Sequence, residues 1–170
     1  PLGPGFTVYG QGAFLGVPGP VLLFLVAAAV LVWVLRSTRF GRNLYAIGGN
    51  RDAAVLVGIP VQRMELLVYA LAGMFAALAG IMYASRMDAA QPAVGEGWLM
   101  KAITAAILGG TSLKGGQGTI LGTVFGTLLT AVLANGLSLM NVSAYWARVV
   151  IGAIVLLAIL GDLLRHRAKT

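Results

Sequence analysis

The 170 residues suffice for about one domain, and 59% of them are hydrophobic against 10% charged, with a mean hydropathy of +0.91. A soluble domain carries roughly a quarter charged residues, so this chain lacks the polar surface to cover its apolar mass and the bilayer is its expected solvent. The absence of cysteine excludes a disulfide framework and a thiolate metal site, and the +7 charge is placed as a membrane topology signal, so no nucleic-acid partner is expected.

Pro1 to Gly19 is rich in Gly and Pro, with Phe6, Tyr9 and Phe14 interspersed, and predicts an irregular loop at a membrane face. No charged residue occurs from Pro1 to Leu35. The first apolar run comes late and lacks a basic leader, which speaks against a signal peptide. A start at Pro1 rather than Met suggests a piece of something longer. Pro18 to Leu35 is long enough to cross most of a hydrocarbon core and forms span A, ending at Arg36 and Arg39.

Phe40 to Val61 is polar and carries Arg42, Arg51 and Asp52 between two long apolar segments. Asn50 is a good N-cap for about two helical turns over Arg51 to Val57, with Asp52 near the positive end. Gly58 stands where a left-handed residue is wanted, and Pro60 prevents continuation. A helix that brief is marginal alone in water, so something outside should hold it. The alternative is an ordinary solvated connector.

Span B runs from about Met64 to Ala84 as a further apolar run, with small residues at Ala72, Ala76, Gly80 and Ala84 in one stripe. Span C, Trp98 to Leu108, is short for a crossing and includes Lys101. Span D, about Thr119 to Met140, carries the stripe Gly118, Gly122, Gly126, Thr130, Ala134 and Ser138 at four-residue spacing. Gly118, Gly122 and Gly126 are the expected helix-packing positions. Span E, about Tyr145 to Leu164, opens on Tyr145 and Trp146 at an interfacial belt and closes at Asp162 before Arg165, His166, Arg167 and Lys169.

Arg36, Arg39, Arg42, Arg51 and Arg63 lie between A and B, and further basic residues form the tail. The positive-inside rule puts both stretches in the cytoplasm, which requires an even number of crossings between them. Span C is therefore expected to cross, starting as early as Val94. The connector Gly109 to Gly118 then faces the cytoplasm and the hairpin near Asn141 to Ser143 faces outward, with Pro1 outside and Thr170 inside. The expected fold is all-α: one polytopic transmembrane domain over residues 1–170, of about five spans, with a short cytoplasmic helix inside residues 40–61.

No catalytic constellation is present, and no enzyme activity or cofactor is expected. The connector GGTSLKGGQG fails the Walker pattern, because Gly115 follows Lys114 where Ser or Thr is needed, and Leu121 breaks a GxGxxG reading. His166, the single histidine, lacks spaced partner ligands, so no metal site is expected. Asp88 and Glu96 have no nucleophile beside them. Polar residues at membrane depth are costly unless satisfied or hydrated. Lys101, Thr104 and Asn135, with Gln91 and Trp98 at the outer mouth, either line a hydrated path for a polar solute or serve interhelical hydrogen bonding, with Lys101 snorkelling to the interface.

Phe40 to Pro60 resembles the cytoplasmic motif of the ribose/xylose-type ABC sugar permeases, GR-x2-YA-x-GGN-x2-AA-x3-GI. Gly41, Arg42, Tyr45, Ala46, Gly48, Gly49, Asn50, Ala53, Ala54, Gly58 and Ile59 match it. AQP at Ala90 to Pro92, GGTSLKGGQG at Gly109 to Gly118, NGL at Asn135 to Leu137 and VSAYW at Val142 to Trp146 follow in the family's order. The resemblance covers nearly the whole chain and is to the C-terminal half of such a permease. It departs where many relatives carry acidic residues before GGTS and this chain has Leu99 and Lys101. It departs again where a paired Asn is Ala134 with Asn135, and a later Asn is Ser138.

The resemblance implies a permease subunit of an ATP-binding-cassette importer for a monosaccharide in the bacterial plasma membrane. An ATPase subunit would grip Gly48, Gly49, Asn50, Arg51, Ala53, Ala54, Gly58 and Ile59. Further implied partners are a second permease copy, a periplasmic or lipid-anchored sugar-binding protein, and membrane lipid. Small-residue stripes would let helices slide as packed bodies. Alternatives are a branched-chain amino-acid or nucleoside permease and a membrane scaffold without a transport cycle.

Overall fold

The computed structural model describes residues 12–14, 16–89, 95, 97–143, 146, 149–150, 152–153 and 156. They fall into two compact units, Pro1–Gly95 and Glu96–Thr170. Three of the described helices are long and apolar enough to cross a membrane, and the architecture is a polytopic helical bundle.

The first unit opens with a minimal antiparallel hairpin, β1 (Ala13–Phe14) on β2 (Val17–Pro18), where an irregular loop was expected. Gly16 supplies the left-handed turn residue at φ +81°. Helix α1, Gly19–Ser37, follows with a proline in its first turn, where a missing amide hydrogen costs nothing. Its exposed side chains include Leu25, Val30 and Trp33. A helix apolar all round belongs in lipid or against other helices.

Helix α1 stops at Thr38, whose backbone is extended. A second helix, α2 (Arg39–Gly49), then begins, and it is followed by α3 (Arg51–Leu56) and the long α4 (Val61–Met87). The sequence suggested only the short helix; α2 is a difference. Its reason is amphipathicity: Arg39, Arg42, Ala46 and Gly49 are exposed at helical spacing, while Phe40, Gly41, Leu44 and Ile47 turn inward. The glycine pair Gly48–Gly49, an apparent breaker, lies inside the last turn. Helix α2 packs on α1, α3 and α4.

Five residues of this unit are buried among those described: Gly41, Ala54, Val61, Met64 and Ser85. The first four gather where α2, α3 and the start of α4 meet. The polar connector is thus the best-packed part of the unit. The stripe on α4 is not used within the unit, for Ala72, Ala76 and Gly80 are exposed and a Cβ added at Gly80 would meet nothing. Helix α4 ends at Asp88, in the left-handed region at φ +49°.

The second unit is built on α5 (Trp98–Leu108) and α6 (Ile120–Leu139). Helix α5 begins after left-handed Gly97, at φ +82°, so its start agrees with the Trp98 start of span C. Its 11 residues rise about 16 Å, half of a hydrocarbon core of about 30 Å. Val94 lies outside the described residues. So does most of span E, where Trp146, Val149, Val150, Gly152, Ala153 and Leu156 are described and helical.

Helices α5 and α6 run antiparallel and touch backbone to backbone. A Cβ added at Gly109 would lie 2.5 Å from the Gly122 carbonyl group, one at Gly122 would strike the Gly109 oxygen, and one at Gly126 the Ala105 oxygen. Gly122 and Gly126 thus stand where the two backbones come close. Gly118 differs: it precedes the helix, and the side chain of Thr111 in the connector is what a Cβ there would meet, at 2.9 Å.

The connector is folded rather than slack. Helix α5 ends in a Schellman pair, Thr111 N–H to Ala106 O at 3.0 Å and Gly110 N–H to Ile107 O at 2.9 Å, with Gly110 at φ +80°. Ser112 N–H then donates to Gln117 O at 3.0 Å and closes the loop around Lys114. These are tight turns between packed helices, as expected.

Replacing Gly126 by Val should cost about 1–3 kcal/mol through forced separation of the two backbones, lowering the thermal midpoint of the full-length protein in detergent by several degrees. Gly136→Ala, at an open position, should be neutral or slightly stabilising in the same melt.

Candidate functional site

The polar connector is assembled by hydrogen bonds from short side chains. Thr38 Oγ1 donates to Val34 O at 2.7 Å, satisfying a carbonyl at the end of α1, and accepts from Gly41 N at 3.4 Å at the start of α2. A Cβ at Gly41 would collide with the Leu35 carbonyl oxygen. Only glycine permits α2 to fold back so closely on the preceding turn.

Asn50 serves two helices. Its amide donates to Ala46 O at 3.1 Å, ending α2, and its Oδ1 accepts from Ala53 N at 3.0 Å, beginning α3. One extended residue therefore sets the angle between them. At the other end, Gly58 N–H donates to Val55 O and Ile59 N–H to Ala54 O, each at 3.0 Å, with Gly58 at φ +81°. The sequence-predicted cap, body and stop of this helix all have these counterparts. Ala54 is 3% exposed and anchors the helix inward.

One contact was not foreseen. Arg51 Nη2 lies 3.0 Å from both carboxylate oxygens of Glu65, in the first turns of α4. Treating span B as continuously apolar passed over Glu65. The pair is largely exposed, so its worth is about 0.2–1 kcal/mol, but it ties α3 to the membrane-length helix that follows.

The residues expected from sequence to meet an ATPase thus divide by their place in the segment. Asn50, Ala54, Gly58 and Ile59 shape the segment, Arg51 braces it, Gly48 and Gly49 close α2, and Ala53 faces outward. Sequence reasoning missed the outward apolar surface that follows, where Val55, Leu56 and Val57 are 57%, 87% and 75% exposed. Arg36, Arg39, Arg42, Arg51 and Arg63 are all exposed.

Of the expected pathway residues, Gln91 lies outside the described residues. Trp98 is half-buried at the start of α5, Thr104 is buried at 9% exposure, and Lys101 and Asn135 are exposed. The glycine crossing sets their register. Gly126 sits between Ala105 and Gly109, so one turn further along Thr130 falls between Lys101 and Ala105, and Ala134 between Gly97 and Lys101. Trp98 of α5 thereby comes to the level of Asn135, which lies on the face of α6 opposite Gly126, with Lys101 about one turn nearer the crossing and Thr104 deeper in it. Thr127 and Thr130 spend their hydroxyl donors on their own helix, on Thr123 O at 2.8 Å and Gly126 O at 2.9 Å.

A family model described as the branched-chain amino acid transport system / permease component matches residues 3–159. The chain belongs to this permease family. It is 47% identical to the ribose import permease of Bacillus subtilis over 158 residues, 93% of this chain and 49% of that protein. It is 43% identical to the Escherichia coli K12 ribose import permease over 95% of this chain and 53% of that protein. The xylose transport system permease of Haemophilus influenzae is 41% identical over 90% of this chain and 41% of its own length. The chain spans about half the length of the curated relatives it matches. No solved structure matches it. Together with the apolar helices, the family makes this permease chain a multi-pass integral membrane protein.

Asn50→Ala should remove the cap shared by α2 and α3 at a cost of about 1 kcal/mol. Hydrogen exchange at Ala53 and Ala54 in the full-length permease should quicken about fivefold, with Asn50→Asp preserving protection and Glu65→Ala producing a smaller effect.

Proposed function

We infer that this chain is part of the membrane subunit of an ATP-binding-cassette importer, carrying a sugar-class solute across the bacterial inner membrane on energy from a separate ATPase. The observation that carries the reading is the folded connector: a short helix, capped at both ends and braced to α4, presents Val55, Leu56 and Val57 outward between two membrane-length helices. Exposed apolar side chains on a stiff polar body suit a protein partner. The ribose and xylose permeases among the relatives support a sugar as cargo.

In this mechanism the ATPase grips α3 from the cytoplasm. Its closure on ATP pushes a body that cannot flex internally, because Gly41, Asn50 and Gly58 fix each bend. The displacement passes into α1 and α4, to which the body is joined without slack. A second permease copy completes the route, and a solute-binding protein delivers cargo at the opposite face. The permease hydrolyses nothing. By the positive-inside rule the exposed arginines around α2 and α3 support a cytoplasmic position for this side and, with it, for the C-terminus. That topology requires the α5 region to complete a crossing with the residues before Gly97.

A branched-chain amino-acid cargo is the second reading, favoured by the description of the family model. Uptake of labelled sugars and amino acids by the full-length permease, with its ATPase and binding protein, separates the two.

Ala53→Asp keeps a carboxylate near the positive end of α3, where the helix tolerates it, yet places charge on the outward face. It should reduce uptake and transport-coupled ATP hydrolysis at least tenfold with membrane insertion unchanged, and Leu56→Ser should act the same way. Uptake at the wild-type rate in both variants would overturn the docking role. A cysteine replacing Asp52 should react with an impermeant maleimide in inverted vesicles and not in intact cells.

A further inference from the structure

The bends at Asn50 and Gly58 hold the two ends of α3, and a body held at its ends can still roll about the line between them. Measured from Ala54 at about 100° per residue, Arg51 lies about 60° round the helix, while Asp52 and Leu56 lie about 160° and 200° away, on the opposite face. The inward side of α3 therefore has two attachments, the buried methyl group of Ala54 and the guanidinium of Arg51 on Glu65. A methyl group close to the helix axis has little lever arm against rotation. Arg51 Nη2, 3.0 Å from both oxygens of Glu65, acts at the end of a long one. Without it, a roll of about 30° would carry Leu56 sideways by about 3 Å, since a helix with its side chains has a radius of about 5–6 Å.

Arg51 stands apart from the other cations of the connector. Arg36, Arg39, Arg42 and Arg63 are exposed and have no ion pair among the described residues. Its partner is carried by α4 near its start, so the pair joins a short helix to a membrane-length one. The two side chains are 61% and 42% exposed. In water such a pair contributes little. Helix α3 has only six residues, a length of about 9 Å, so a partner seated over Val55 and Leu56 also takes water from the neighbourhood of the pair. Attraction between charges rises as the surrounding dielectric falls. The brace is thus loose while α3 is free and tight once α3 is gripped.

We propose that Arg51 and Glu65 are positioning residues for energy coupling: their ion pair sets the roll of α3, and with it the aim of Val55 and Leu56. The pair acts in the assembled transporter and not in the stability of the permease. This inference rests on the reading of α3 as the ATPase contact, and its test separates the two.

Full-length permease carrying Arg51→Glu, Glu65→Arg or both reversals is reconstituted with its ATPase and binding protein. Solute taken up per ATP hydrolysed is measured, together with the thermal midpoint of each permease alone in detergent. Each single reversal should lower uptake per ATP about three- to tenfold, and the double reversal should recover it to within about twofold. The midpoint should move by less than about 3 °C in all three. Unimpaired coupling in the single reversals overturns the proposal and leaves the docking reading standing. Impaired single reversals that the double reversal does not recover also overturn it, by assigning Arg51 to direct contact with the ATPase. Midpoints that fall and recover in parallel with coupling would make the pair a plain stabilising contact and overturn it as well. Undiminished binding of the ATPase to a permease carrying both Ala53→Asp and Leu56→Ser overturns the docking reading and this inference with it.

Discussion

The close approach of Gly41 to the Leu35 carbonyl is the contact on which the first unit depends. It lets α2 fold back on the end of α1, and that fold brings α2 over Ala54, Val61 and Met64. A side chain at position 41 would lift α2 away and expose all three. The polar stretch would then revert to a tether. Rigidity here comes from very little buried area, because the bends themselves are fixed: Thr38 at one, Asn50 at the next, Gly58 at the third. Each is a short side chain or a glycine that satisfies backbone groups which helix ends leave open.

The rest of the molecule is built for a different solvent. Apolar side chains of α1, α4 and α6 are exposed along their length, as they must be where lipid or further helices provide the surroundings. Backbone groups cannot be left to lipid in the same way, and the helix ends show the response. Gly58, Gly110 and Asn141 occupy equivalent left-handed positions after α3, α5 and α6, and in each case that residue's own amide and the next one donate back to the last carbonyls. Glycine and asparagine are the residues that reach this conformation at low cost. Three stops of the same kind keep polar groups paired at or near the membrane boundary.

Much of this was legible in sequence. Asn50, Gly58 and Pro60 announced the short helix because capping depends on side chains one to three residues away. The ends of α1 and α6 followed from apolar run length. Helix α2 was harder, since Gly48 and Gly49 carry a breaker signal that burial against α1 and α4 outweighs. Glu65 was obscured by the apolar residues around it, and its partner is fourteen residues away. The shortness of α5 was visible as an 11-residue run but was outvoted by charge parity, a rule about crossings and not about helices. Gly118 shared the spacing of the α6 stripe while lying outside the helix, because periodicity does not reveal where a helix starts. That Trp98 and Lys101 share the α5 side of the crossing while Asn135 lies on the far face of α6 needed the crossing itself, which no single-helix pattern contains.

The bare crossing of α5 and α6 also limits how these helices can move. Slipping by one turn would bring Lys101 to the place where Ala105 now meets Gly126, and a long cationic side chain cannot replace the single methyl group buried there. Sliding along this seam, which small residues would ordinarily invite, is therefore blocked in that direction. The hairpin behaves as a ratcheted stave, held one way by Lys101 and left open the other way by Gly109.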